Sequence, residues 1–287
     1  MLVPQVVRYT RPMPDRSIVE SLAYVNWALL YSLSLGGLGA VVLLRWRTDA
    51  TKGYLTFMAL CATIFAVLVF LLDGGLPAPA DLAIRAAPNA DPIRHGGLLA
   101  LVLFAGAETI GRARSTRRPW FGIAGLAAGV VVALAAGLGW GALTLAGVAS
   151  VIQLLVLAAA SGGVVAAMIL GHWYLVTPRI SEAPLILATR ALSVVVVVQL
   201  VLFGIWTVFG IGPYAPLGAL TGSEAVFVWL RLLVSLVFPL VLTVAALRTA
   251  RTRSMESATG LLYIDTAAIL AGTIVAAALL FGSGLLV

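Results

Sequence analysis

The chain has 287 residues, of which 62% are hydrophobic and 10% are charged. Soluble domains carry about a quarter charged residues, so this composition excludes a water-soluble fold and indicates an integral membrane protein. The net charge of +7 comes from arginines in short loops, which is typical of membrane topology and contact with lipid headgroups rather than of nucleic-acid binding. Cys61 is the only cysteine, which excludes an intrachain disulfide, a thiolate-held iron-sulfur cluster and a cysteine-rich zinc site.

Eight apolar stretches are each long enough to cross a bilayer. A helix rises 1.5 Å per residue, so about 20 apolar residues span a hydrocarbon core of about 30 Å. The predicted spans are 22–44, 54–72, 95–111, 120–139, 148–175, 184–210, 225–247 and 260–284. We therefore predict an all-α, polytopic protein with one transmembrane domain over residues 1–287.

Positive charge alternates between the connecting loops. Three connections are rich in arginine or lysine: 45–53, 112–119 and 248–259. The connections between them are poor in positive charge: 73–94, 139–147 and 211–224. The positive-inside rule places the first set in the cytoplasm and both termini outside, in the inner membrane of a cell. Three arginines of the N-terminal tail oppose this orientation: Arg8, Arg11 and Arg16.

A duplication is visible in the sequence. Leu35-Gly36-Gly37 of the first span resembles Ser161-Gly162-Gly163 of the fifth, and the third and seventh spans both end in arginine-rich turns, from Arg112 and from Arg248. Four spans per half would give parallel repeats over 22–140 and 148–286. The alternative is chance, because glycine pairs and interfacial arginines are common in membrane helices.

Four ionisable residues are predicted to lie at one level near the cytoplasmic ends of their spans: Glu108, His172, Arg190 and Asp265. Such groups cost several kcal/mol when they face lipid, so we expect them to turn inward and meet. This pattern predicts a polar pocket near the cytoplasmic face, with Tyr263 at its edge. The alternatives are a structural ion pair of Arg190 with either carboxylate, and a histidine that only marks the membrane interface.

A second, smaller set of polar residues is predicted near the outer face. It contains Asn26 in the first span, Asp73 after the second, His95 at the start of the third and Arg231 within the seventh. Arg231 lies too deep to reach water, so we expect it to pair with Asn26 or Asp73. His95 is alternatively a solvated residue at a helix start.

Quinone is the small molecule that the inner set fits best. Its carbonyls need donors such as His172, Tyr263 or Arg190, and its redox chemistry needs a proton relay such as Glu108 and Asp265. Haem is disfavoured, because the two histidines of the chain are assigned to opposite ends of their spans; one histidine with a methionine is the remaining way to hold it. The sequence contains no evident redox centre, so electrons would come from partner subunits.

Two stretches carry a resemblance to a known family. They are the run from Tyr31 to Gly39 with its glycine pair, and Leu72-Asp73-Gly74-Gly75-Leu76-Pro77 at the end of the second span. Together with eight spans in two halves, they resemble the membrane subunits of the polysulfide reductase and NrfD group. The resemblance implies a haem-free, quinone-interacting anchor for subunits that carry iron-sulfur and molybdenum centres. Asp73 is the one functional residue carried over, and the segment 171–175 departs from the family pattern.

Two other classes remain open at this stage. Parallel repeats and buried charges also suit a proton-coupled transporter or channel, in which Asp265 or Glu108 would carry the proton. Against that class, Pro239 in the seventh span is the only kink signal. The third class is a structural subunit without ligand or turnover. The first expectation is therefore a membrane subunit of a respiratory or other electron-transfer complex, quinone-reactive or non-catalytic.

Overall fold

The computed structural model describes residues 15–80, 82–114, 120–177 and 180–287. This part of the chain is helical and contains no strand, with eight helices long and apolar enough to span a membrane. They are α1 (Asp15–Arg47), α2 (Lys52–Asp73), α3 (Asp91–Ala113), α4 (Trp120–Gly141), α5 (Leu145–Val176), α6 (Ala183–Phe209), α7 (Ala225–Arg251) and α8 (Met255–Ser283). Arg8, Arg11, Arg117, Arg118 and the side chain of Arg16 lie outside the described residues. The predicted all-α fold is confirmed, and it indicates a multi-pass membrane protein.

Local signals in the sequence set the helix ends. Thr51 caps α2 by accepting a hydrogen bond from the backbone N–H of Tyr54, and Thr144 caps α5 in the same way. Gly210 ends α6 with a positive φ of 64°, a conformation that costs glycine little. Most helices extend a few residues beyond the predicted spans, by up to about two turns at the start of α1, whereas α6 has the predicted length.

Helix α7 is interrupted by one π-helical turn at Leu233–Val237. Pro239 follows directly, and a proline inside a helix lacks the N–H that would bond to the carbonyl four residues earlier, here that of Ser235. A widened turn before the proline avoids the clash with that carbonyl. The kink signal of the sequence therefore corresponds to a real irregularity in this helix.

The helices pack as two rings of four. In the first ring α1 packs on α2, α2 on α3, α3 on α4 and α4 on α1; in the second, α5 to α8 pack in the same cyclic order. The rings join mainly through α1 against α5, with α4 on α5 and α1 on α8 beside that contact. At the crossing, a Cβ on Gly162 would lie 2.2 Å from the backbone nitrogen of Gly37, so the two backbones touch.

The two ends of the bundle are chemically different. We call the end where α1 begins and α8 ends the terminal face, and the other end the opposite face. Asp73, Arg94 and Trp140 lie at the terminal face, while Arg45 and Glu108 lie at the opposite face. The outward surfaces between the two faces are apolar, as lipid contact requires for a membrane-embedded bundle.

Candidate ligand site at the terminal face

Asp73 is the centre of a polar cluster at the terminal face. Asp73 is the last residue of α2, and its side chain is 2% exposed. Oδ1 accepts hydrogen bonds from Nε1 of Trp27 at 2.8 Å and from Nε of Arg94 at 2.6 Å, and Oδ2 lies 3.1 Å from Nδ1 of His95. Three helices, α1, α2 and α3, therefore converge on one carboxylate.

Arg94 forms an ion pair with this carboxylate. It is buried in the first turns of α3, where Nη1 donates to Asp91 at 2.5 Å and the guanidinium carbon lies 4.8 Å from the ring centroid of Trp140. A buried guanidinium between two carboxylates and an aromatic face is both paired and well packed. Because an ionised carboxylate only accepts hydrogen bonds, Nδ1 of His95 carries the proton in its contact with Asp73.

Aromatic rings form a rigid wall behind the cluster. Trp27 stacks on Tyr31 with ring centroids 5.2 Å apart, and Trp140 meets Trp27 edge-on at 5.0 Å. Tyr24 packs edge-on against Trp140 at 5.2 Å and donates its hydroxyl to the carbonyl of Pro77 in the loop after α2. Such edge and stacked contacts fix ring orientations, so the polar atoms of the cluster are held in place.

A cavity of about 670 Å³ opens beside the cluster. Its walls include Asp73, Arg94, His95, Tyr24 and Trp140, and the loops at 74–79 and 86–88 form its rim. This volume suits a small organic molecule, and the wall combines apolar rings with a few converging polar groups, as binding sites do.

His95 is the residue of the cluster best placed to react with a ligand. Its side chain is 45% exposed, and Phe70 lies against the ring at 4.5 Å between centroids. Since Nδ1 is engaged by Asp73, Nε2 is the nitrogen that can face the cavity, and in the neutral ring it accepts a proton. A carboxylate behind an imidazole orients the ring and stabilises the imidazolium that forms.

The structure separates the residues of the predicted outer site. His95 and Asp73 meet, but Asn26 is exposed on α1 and has no part in the cluster. Arg231 is buried in the second ring, where Nη2 donates to Oε1 of Gln199 at 3.3 Å, so the expected partner, Asn26 or Asp73, was wrong. The cause is the ring arrangement, which puts α7 in a different bundle from α2.

Sequence reasoning missed two members of this cluster. Arg94 directly precedes His95 at the start of α3, and Asp73 ends the preceding helix. This arrangement was the signal in the sequence that could have indicated an ion pair between Arg94 and Asp73. Trp27 lies within an apolar run, where the sequence does not distinguish a tryptophan that donates a hydrogen bond from one that only packs in the core.

Glu108 does not lie in the predicted inner pocket. Glu108 is 2% exposed and is already saturated: Oε1 accepts from Nη1 of Arg45 at 2.9 Å and from Nε of Arg112 at 2.8 Å, and Oε2 accepts from the backbone N–H of Gly122 at 3.2 Å. This is a structural ion cluster that ties α1, α3 and α4 together, and none of the other predicted inner residues takes part in it.

The other inner residues are also dispersed. His172 is exposed, with Nδ1 3.3 Å from the hydroxyl of the exposed Tyr263, and Arg190 is exposed on α6. Asp265 is fully buried, and neither of its oxygens has a hydrogen-bond partner among the described residues, so the alternative of an ion pair with Arg190 does not hold for it. The levels differ too, since His172 lies four residues from its helix end and Asp265 ten.

No three histidine, cysteine, aspartate or glutamate side chains of the described residues lie close enough together to hold a metal ion. Comparison of the chain with protein-family models, with curated proteins and with solved structures gave no match. The functional argument therefore depends on the geometry of the terminal-face cluster.

Proposed function

We propose that this protein is a quinone-interacting membrane subunit of a respiratory or other electron-transfer complex, and that the quinone headgroup binds in the terminal-face cavity. The observation that carries the proposal is the Asp73–His95 pair on the cavity wall. It supplies a proton acceptor with a buried counter-charge beside aromatic surface, which is what an exchangeable hydroquinone needs. The site differs from the inner pocket expected from the sequence, because the residues of that pocket do not meet.

The chemistry follows from the protonation state of the pair. Oxidation of a hydroquinone releases two electrons and two protons. Nε2 of His95 accepts the first proton from a ring hydroxyl, and Asp73 stabilises the resulting imidazolium through Nδ1–H. The electrons pass to a redox centre of a partner subunit, and the second proton leaves through the open side of the cavity to water.

We further propose that the two rings are parallel repeats, in agreement with the resemblance to the polysulfide reductase and NrfD group. Gly36 and Gly162 meet at the crossing of α1 and α5, which is where a two-fold axis between repeats would pass. Asp73 follows Gly36 by the same interval of 37 residues that separates Gln199 from Gly162. Each accepts a hydrogen bond from an arginine of the next helix, Arg94 or Arg231, as equivalent positions should.

The charge of the loops indicates which face of the bundle is cytoplasmic. The described helix ends that flank the positively charged connections lie at the opposite face, so the positive-inside rule puts that face in the cytoplasm of a cell and the quinone site on the outer side of the inner membrane. Partner subunits with iron-sulfur or molybdenum centres would then dock at the terminal face.

Quinone binding is tested by fluorescence. The purified full chain is titrated with a short-chain ubiquinone or menaquinone, and quenching of tryptophan emission is followed, since Trp140 borders the cavity and Trp27 packs behind it. We expect saturable quenching that the His95→Ala variant weakens about tenfold, the equivalent of one lost hydrogen bond to a polar group. His172→Ala, a histidine change at the opposite face, is the matched control and should bind as the native chain does. Absence of saturation, or equal loss in both variants, would refute the site.

Partner subunits are tested by purification from the native membrane. Co-purification of proteins with iron-sulfur, haem or molybdenum centres is expected. A chain isolated alone, with solute movement in liposomes and no quinone binding, would instead favour the transporter class.

A further inference from the structure

Asp265 is the most unusual buried group of the second ring. It is fully buried in α8, ten residues after Met255, so it lies about 15 Å from the start of the helix. That depth is about half of a hydrocarbon core of roughly 30 Å. Neither carboxyl oxygen has a hydrogen-bond partner among the described residues.

The contrast with the two other deeply buried carboxylates identifies its state. Asp73 and Glu108 each face three donors, including at least one arginine. An ionised carboxylate without a donor costs several kcal/mol or more in an apolar interior, whereas a neutral acid loses only a modest hydration energy. Asp265 is therefore held as a neutral carboxylic acid, with its proton in the middle of the bundle.

One cation is buried in the same ring as Asp265, within the described residues. Arg231 is 2% exposed and is the other charged side chain buried in the second ring, within the part of the chain that the structure describes. Its guanidinium lies against Gly272, since Nη1 is 2.8 Å from the position of a Cβ there. Gly272 is seven residues from Asp265 along α8, about 10 Å away on the same side of the helix. Arg45 of α1 is bonded to Glu108 near the opposite face.

Arg231 is itself incompletely bonded. Nη2 donates to Gln199 at 3.3 Å, but among the described residues Nε has no partner and no carboxylate neutralises the charge. The π-helical turn of α7 places Ser235 against Gly272 beside the Arg231 guanidinium, with a Cβ on Gly272 only 2.2 Å from the Cβ of Ser235. π-Helical turns leave backbone carbonyls free to accept hydrogen bonds and occur often at functional sites.

We propose that Asp265 is the proton-binding site of an intramembrane proton pathway through the second ring. The neutral acid dissociates to a carboxylate and one proton, and the buried positive charge of Arg231, about two helical turns along α8, favours the carboxylate until it takes up a proton again. Water at the opposite face supplies the proton and the terminal face receives it, or the reverse. The pathway lies in α5 to α8, away from the Asp73 cluster, and needs no quinone.

The first test is chemical labelling. Dicyclohexylcarbodiimide, an apolar reagent, adds to protonated carboxyl groups, so the intact chain in detergent at neutral pH should acquire a covalent adduct at Asp265, located by peptide mass spectrometry. The ion-paired Asp73 and Glu108 should remain unlabelled in the same sample. Asp265→Asn should abolish the adduct and melt within a few degrees of the native chain, because an amide replaces a group that is already neutral. A folded native chain with no adduct at Asp265 would overturn the proposal.

The second test is proton flux. Native chain is reconstituted in liposomes with a trapped pH-sensitive dye, and a potassium diffusion potential is imposed with valinomycin. We expect proton entry above that of empty liposomes, lowered at least tenfold by Asp265→Asn. Glu256→Gln is the matched control, an exposed carboxyl of the same helix, and should conduct as the native chain does. Equal flux in the native chain and Asp265→Asn, or no flux above empty liposomes, would refute the pathway. Neither result bears on quinone binding, which is measured separately at His95.

Discussion

The replacement Asp73→Asn is expected to reverse the proton arrangement of His95. Two donors, Nε1 of Trp27 and Nε of Arg94, point at the same carboxylate oxygen, so the amide oxygen of the new side chain must face them. Its amide NH₂ then faces Nδ1 of His95, where it can only donate. Nδ1 must accept, so the proton moves to Nε2, and the nitrogen that faces the cavity changes from an acceptor to a donor.

Asp73→Asn should lower the free energy of unfolding only moderately. Arg94 loses the negative charge of Asp73 but keeps its contact with the Asp91 carboxylate at 2.5 Å and its position over Trp140. Breaking a buried ion pair completely costs about 3–5 kcal/mol, so the loss of one of two carboxylates should cost about 2 kcal/mol. The loss of proton-transfer activity should be much larger. A histidine in the wrong tautomer lowers the turnover of Ser-His-Asp enzymes by about 10⁴.

Two measurements check this prediction. The ¹⁵N spectrum of histidine-labelled protein distinguishes a protonated Nδ1 from a protonated Nε2, and the chain has only two histidines, His95 and His172. Quinol oxidation by the assembled complex should fall by at least 10²-fold in Asp73→Asn. Asp91→Asn is the control, since Asp91 is half exposed and does not contact His95, and both readouts should stay near native values. A His95 ring that keeps its proton on Nδ1 in Asp73→Asn would show that the reasoning is wrong.

Three further predictions concern the fold. Gly162→Ala places a Cβ 2.2 Å from the α1 backbone and should lower the melting temperature in detergent by an amount equivalent to about 1–3 kcal/mol. Gly163→Ala, with its nearest neighbour at 3.9 Å, should leave the melting temperature unchanged. Equal effects of the two replacements would contradict the close crossing of α1 and α5. Gln199→Glu gives its buried arginine partner a counter-charge and should stabilise the chain by about 1 kcal/mol, seen as a higher melting temperature; destabilisation would argue against equivalence with the Asp73 pair. Glu108→Gln leaves two arginines without their shared carboxylate and should lower the free energy of unfolding by about 3 kcal/mol. Glu182→Gln, at a solvent-exposed pair, should lower it by less than about 0.5 kcal/mol. Similar melting temperatures of the two variants would exclude a structural ion cluster.

The sequence by itself determined the number of helices, their approximate bounds and the grouping of charged loops at one end. These properties are sums over a window of about 20 residues, and the free energy of burying an apolar segment depends on its composition rather than on its neighbours. The kink at Pro239 and the meeting of His95 with Asp73 were accessible for the same reason, since a proline acts on its own helix and the two residues flank one connection.

For the polar residues on more distant helices, only the tertiary structure decided which of them meet. Successive residues of a helix turn by about 100°, so a shift of one or two positions in packing moves a side chain from the interior to the lipid surface. That is why Arg190 and His172 lie outside while Asp265 lies inside, although all three were predicted at one level. Spacing indicates the pairing of Glu108 with Arg112, four residues further along the same helix, but it could not show that Arg45 of α1 also reaches Glu108, because that contact depends on how two helices are rotated against each other.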